Sequence, residues 1–143
     1  MSNIQVSLVP AEHATQVWPA IAEYVAKAVK LTFGKYKPED VLDLVVRYNY
    51  PLWIAFDDTD IKGVVLTRFM EYPRKKYLSL EFCGGQDGFS WKEPMLSVLR
   101  SWAKDNGCDG IEGAGRAGWQ RVFKESGYTP TLQHFEMPIE QEK

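Results

Sequence analysis

Tyr77-Leu78-Ser79-Leu80-Glu81-Phe82-Cys83, followed by Gly84-Gly85-Gln86-Asp87-Gly88-Phe89-Ser90, is the stretch that decides the fold. Its first seven residues read as a strand and the next seven as a glycine-rich loop. A helix of about four turns then carries Met95, Leu96, Val98, Leu99, Trp102 and Ala103 on one side and stops at Asn106-Gly107. A strand that passes through glycines into a helix aims backbone N–H groups beyond the strand end, a geometry suited to an anion. Glycines at such a joint also serve plain turn chemistry, and both readings stand at this point. The helix has two candidate starts. Ser90 with Glu93 has the spacing of a capping box, whereas Pro94 suits a first helical turn.

Upstream, Leu52–Phe56 and Ile61–Glu71 read as strands joined by the turn residues Asp57-Asp58-Thr59-Asp60. Tyr72-Pro73-Arg74-Lys75 turns the chain again into the strand at Tyr77, so the three strands form an antiparallel meander. Ile4–Val9 alternates as a further strand ended by Pro10. Ala11–Lys30 is helical by the spacing of Val17, Ile21, Tyr24, Val25 and Val29, with a kink or a break expected at Pro19. Pro38 opens another helix. Downstream, Asp109–Ala114 reads as a strand, Gly115–Gly127 as a short helix and Leu132–Met137 as a last strand. The expected fold is therefore α/β (α+β): a mixed, mostly antiparallel central sheet flanked by helices, in the order β-α-α-β-β-β-α-β-α-β. With no linker or repeat, residues 1–143 are expected to form one domain.

The formal net charge of −2 provides no basic field for nucleic acid. Arg74-Lys75-Lys76 reads as a solvated hairpin turn. Cys83 and Cys108 lie far apart, and no Cys/His spacing suggests a metal site, so both are expected as buried thiols of a reducing compartment. His13 and His134 have no triad or ligand spacing, and Ser79, Ser97 and Ser101 have no evident partner. No apolar run approaches membrane-spanning length, and the first residues lack a signal-peptide pattern. The chain is expected in a cytoplasm, bacterial or phage-infected, or packaged from one into a virion, with no membrane partner. Among five tryptophans, Trp53, Trp102 and Trp119 fit core faces, while Trp18 and Trp91 are expected nearer the surface.

From Ile4 to about Pro138 the chain resembles the GNAT superfamily of acyl-CoA-dependent N-acyltransferases. The resemblance rests on element order, on the strand–loop–helix at Tyr77–Gly107, and on Gly118-Trp119-Gln120-Arg121-Val122-Phe123-Lys124-Glu125-Ser126-Gly127-Tyr128, which is similar to the family's late helix. Gly115-Arg116-Ala117-Gly118-Trp119 is similar to a stretch in small GNAT-like phage proteins.

The resemblance implies acetyl-CoA as cofactor, a small-molecule or protein amine as acceptor, and two strands, Tyr77–Cys83 and Asp109–Ala114, splayed to admit the pantetheine. It implies cofactor contacts from Phe82, Cys83, Gly85, Gln86, Gly88, Phe89, Ser90 and Trp91. It places a base at Glu81, which on the residues alone also reads as a solvated carboxylate. Glu71 and Glu112 are weaker candidates of the same kind. The family's acid, a tyrosine of the late helix, falls on Phe123 here, leaving Tyr128 as the nearby phenol, at a position that otherwise packs. Gly85 stands where the family's loop has Gln or Arg, and Asp87 adds a negative charge beside the expected pyrophosphate. These departures leave a second expectation open: a GNAT-shaped protein without catalysis, serving as a phage structural or host-interaction component with protein partners.

Overall fold

The computed structural model describes residues 3–32, 34–113, 126–129, 131 and 135–139. Its elements are β1 (Gln5–Val9), α1 (Ala14–Val29), α2 (Pro38–Tyr48), β2 (Leu52–Phe56), β3 (Ile61–Glu71), β4 (Lys76–Gly85), α3 (Gly88–Asp105) and β5 (Gly110–Gly113), with short 3-10 turns at Ala11–His13 and Lys30–Thr32. The five strands form one sheet in sequence order. The pairs β1–β2, β2–β3 and β3–β4 are antiparallel, and β4–β5 is parallel. A parallel pair needs a long crossover, which α3 supplies.

Each sheet face is buried by helices. On one side α1 and α2 cover Val9, Leu52, Val64 and Leu66 with Ile21, Val25, Val41 and Val45. On the other, α3 covers Trp53, Ala55, Val65 and Leu78 with Trp91, Met95 and Leu99. The alternation of β2 and β3 feeds both clusters because side chains point to opposite faces in turn. Thr67 is a fully buried polar residue of this arrangement. It accepts from Trp53 Nε1 at 3.2 Å and donates to Pro51 O at 2.9 Å, so its hydroxyl is satisfied.

Several expectations are corrected. Of the kink or break expected at Pro19, the break does not occur: helix α1 runs through it as one element. The lost donor there removes a single intrahelical bond, and Ala14, Ile21, Val25 and Val29 anchor the helix on both sides of it. Gly84 and Gly85 are not loop but the last two residues of β4, paired with Val64 and Gly63. Helix α3 starts at Gly88, earlier than either expected start, and Pro94 lies within it. Glu93 accepts from Ser126 Oγ at 2.7 Å instead of capping the helix. Trp91 is fully buried and Trp18 packs on the α1–α2 cluster. Phe135 and Met137, expected in a last strand, are exposed and lie in no strand. The expected late helix, with Gly115, Arg116, Gly118, Trp119 and Phe123, and the strand residues 132–134 with His134, lie outside the described residues.

Candidate active site

The site is organised by a β-bulge. Leu66 pairs with Phe82 and Thr67 with Leu80, so Glu81 has no partner on β3. An extra residue on one strand kinks it and re-aims the side chains that follow. Leu78 and Leu80 pack on the α3 cluster, and the next residue to do so is Cys83, three positions on instead of two. Phe82 is thereby turned to the α1–α2 side, where its ring meets Tyr36 edge-on at 5.2 Å.

The bulge also brings Glu81 to Arg68. Arg68 Nε lies 3.2 Å from Glu81 Oε1, though it is not aligned for a hydrogen bond, and Ser79 Oγ donates to Glu81 Oε2 at 2.6 Å. Arg68 also donates to Tyr50 Oη at 3.0 Å. That bond raises the guanidinium pKa above its ordinary value; burial opposes it, and the Glu81 charge adds a smaller upward effect. Tyr50 is delivered by the end of α2, where Asn49 takes a left-handed φ of 58° and Tyr50 N–H donates to Leu44 O at 3.1 Å.

On β5, Glu112 stands in register with Ser79 and so shares its face. Tyr72 Oη reaches both Glu112 oxygens, at 2.7 and 2.9 Å, and this bond raises the phenol's pKa. Two carboxylates, one guanidinium and two phenols therefore gather on the face of β3–β5 that continues the α1–α2 side. Glu71, the third carboxylate considered, ends β3 at the solvent edge.

The strand end is tightly built. A Cβ on Gly84 would stand 2.6 Å from Tyr24 O, so α1 crosses directly over β4 there. Gly85 has φ +148°, and a Cβ on it would collide with Lys62 O and with Gly63. The Trp91 indole lies against Gly63 and donates from Nε1 to Gln86 O at 3.0 Å. Trp91 is thus a core side chain that pins the start of α3. Cys83 is likewise a packing residue, and burial pushes its thiol up to about 12. Gln86, Asp87 and Phe89 are exposed. Ser90 Oγ and N–H both turn back to Asp87 O, at 2.8 and 2.9 Å. The N–H groups of Gly88 and Phe89, in the first helical turn, have no intrahelical acceptor and are the donors offered to an anion.

Glu81, Phe82 and Gly88 therefore sit within one strand end and helix start. Tyr128 is not brought to them by any contact among the described residues. It is 42% exposed rather than packed, and its segment is tied to α3 by Arg100 Nη2 donating to Ser126 O at 2.7 Å. The β4–β5 pairing runs from Tyr77↔Gly110 to Leu80↔Gly113, and the chain that continues β5 lies outside the described residues. Beyond Leu80, β4 pairs with β3 alone among the described residues. An apolar groove of about 310 Å3, lined in part by Leu8, Pro51, Phe69 and Trp102, takes in none of the loop residues at the start of α3. Among the described residues no group of three or more His, Cys, Asp or Glu is placed to hold a metal, and no helix is long and apolar enough to cross a membrane.

Sequence reasoning missed Arg68, Tyr50 and Tyr72, and left Ser79 without a partner. Arg68 was hidden within the apolar run of β3, and its partners lie 13 and 18 residues away. The one available signal was that Arg68 falls on the same alternation as Val64 and Leu66, inward on the α1–α2 side.

No protein-family model and no curated protein matches the sequence. Solved structures do. A ribosomal-protein-alanine N-acetyltransferase from Brucella melitensis superposes with a TM-score of 0.71 at 12% identity, over 96% of this chain and 99% of that one. A GNAT family acetyltransferase from Staphylococcus aureus gives 0.63 at 14% identity, over 97% and 100%. An aminoglycoside N-acetyltransferase in complex with CoA gives 0.66 at 14% identity, over 97% and 96%. The chain thus has the GNAT acetyltransferase fold along nearly its whole length.

Proposed function

We propose that this protein is an N-acyltransferase that uses acetyl-CoA and an amine acceptor, acting as one GNAT-like domain in a cytoplasm. The observation that carries the proposal is the bulge at Glu81. It sets a carboxylate, held by Arg68 and Ser79, four residues before the strand ends and seven before the unpaired amides of α3 begin.

The residues present fit the cofactor in part. The first-turn amides of α3 suit a diphosphate, while Gly85 provides no side chain to it and Asp87 opposes it by like charge. When bound, the cofactor supplies the thioester carbonyl that an amine attacks. Phe82, Tyr36 and the backbone of Gln86–Phe89 line the approach. Glu81 and Glu112, with Arg68 balancing one of them, leave a net negative face that attracts an ammonium. Glu81, directly or through a water, receives the proton that leaves the amine nitrogen as the C–N bond forms and the C–S bond breaks. Tyr128 or solvent returns a proton to the departing thiolate.

The test is release of the CoA thiol from acetyl-CoA in the presence of a panel of primary amines, including spermidine, lysine-containing peptides and aminoglycosides. Release that depends on an amine and drops with Glu81→Gln supports the proposal. No amine-dependent release from the wild-type protein overturns it.

A further inference from the structure

The face that carries Glu81 holds more negative charge than positive, and the excess is not at the candidate base. Glu81 faces the Arg68 guanidinium, with Nε 3.2 Å from Oε1, so its charge is balanced within the protein. Glu112 is half-buried, and among the described residues no cation pairs with it. Its partner is a neutral phenol, Tyr72, which reaches both carboxylate oxygens at 2.7 and 2.9 Å. That bond raises the phenol's pKa, so Tyr72 stays a donor and adds no charge of its own. Arg68 and Glu81 also act on the Tyr72 ionisation, the first lowering and the second raising it, so the two pairs lie within electrostatic reach of each other.

The register of β5 fixes where the excess lies. Glu112 stands opposite Ser79, and Ser79 Oγ donates to Glu81 Oε2 at 2.6 Å. Glu81 is two residues further along β4, so strand rise and strand spacing set the Glu81 and Glu112 backbones about 8 Å apart. Aromatic rings border this strip. Tyr72 packs edge-on with Tyr77, and Tyr36 edge-on with Phe82. Such rings suit a methylene stem with a cation at its end.

An ammonium that reacts at Glu81 loses its charge on becoming an amide. As the C–N bond forms and the C–S bond breaks, one of its two lost protons ends on the CoA thiol and the other passes to solvent by way of Glu81. The charge on Glu112 is therefore not matched by the reacting nitrogen. A second cationic nitrogen on the same acceptor matches it.

We infer that the acceptor is a short α,ω-diamine, whose reacting nitrogen meets Glu81 and whose second ammonium is held by Glu112, with Tyr72 as the positioning residue. This rests on the proposed acyl transfer and adds to it the substrate class.

The test is CoA thiol release by the full chain with putrescine and cadaverine against butylamine, joined to calorimetric titration with putrescine. One charge-assisted contact is worth about 10-fold or more. Wild type is expected to favour the diamines over butylamine by that factor in kcat/KM. Glu112→Gln keeps the shape and removes the charge, and should abolish the preference chiefly through the KM for the diamine. Glu112→Asp should retain part of it, and Tyr72→Phe should weaken it. Wild type that uses butylamine as readily as putrescine, or a preference that survives Glu112→Gln, overturns the inference and leaves the acyltransferase proposal standing. If no amine releases thiol, yet putrescine binds wild type and not Glu112→Gln, the diamine site holds and the proposed function falls. Without release, putrescine binding that is absent or indifferent to Glu112→Gln overturns both.

Discussion

Arg68 and Glu81 are not register partners, yet Arg68 Nε stands 3.2 Å from Glu81 Oε1 because the bulge in β4 leaves Glu81 without a residue opposite it. The pair joins the meander to the candidate chemistry. It holds the carboxylate on the α1–α2 side of the sheet while Ser79 and Tyr50 hold the two partners in turn.

Glu81→Gln is expected to lower amine-dependent thiol release by about 100- to 10,000-fold, the span of a positioned acid or base. The pair is partly exposed, so its loss should cost about 1 kcal/mol of stability or less, read by urea denaturation. Activity loss with an unchanged midpoint is the signature of a chemical role.

Arg68→Lys tests the positioning. A lysine cannot hold Glu81 and Tyr50 in the planar arrangement of the guanidinium. The expected outcome is a fall in kcat with a smaller change in the KM for acetyl-CoA, because Arg68 lies on the acceptor side. An equal rise in the KM for acetyl-CoA would argue against that placement.

Gly63→Ala places a methyl group inside the Trp91 ring. Overpacking of this kind costs about 1–3 kcal/mol. Trp91→Ala, which empties a fully buried site, should cost about 3–5 kcal/mol. The double variant should cost less than the sum, since each change relieves part of the other. Equilibrium denaturation of the four proteins checks this.

The meander was legible in the sequence because β2 and β3 combine β-branched residues with clear turns, and their bounds at Leu52–Phe56 and Ile61–Glu71 coincide with the observed strands. The joint at Gly84–Ser90 was less legible. Glycine marks both loops and close backbone approach, and at Gly84 and Gly85 it marks the latter, under Tyr24 and against Lys62. Glu81 was visible as a carboxylate on the strand that leads into the joint. Its partners were not, because a bulge is set by long-range packing and shifts alternation without a local sign. Trp91 was misplaced for a similar reason: the space that receives its indole is made by Gly63, 28 residues upstream.

Cys83 gives a pH dependence. Burial raises its thiol from 9.0 to about 12 in the folded state. Its contribution is fully present below the unfolded value near 9 and is lost as pH rises toward about 12, because the unfolded thiol ionises first. Stability measured between pH 8 and 11 should fall more steeply for wild type than for Cys83→Ala, by at most about 1.4 kcal/mol per pH unit. Parallel curves would show that the thiol is not desolvated.

The most direct test of the acyltransferase account is calorimetric titration of the wild-type protein with acetyl-CoA. The account predicts saturable 1:1 binding at sub-millimolar cofactor, retained in Glu81→Gln because the carboxylate serves the acceptor. Absence of binding heat at millimolar acetyl-CoA, across two temperatures so that a chance zero enthalpy is avoided, would contradict it.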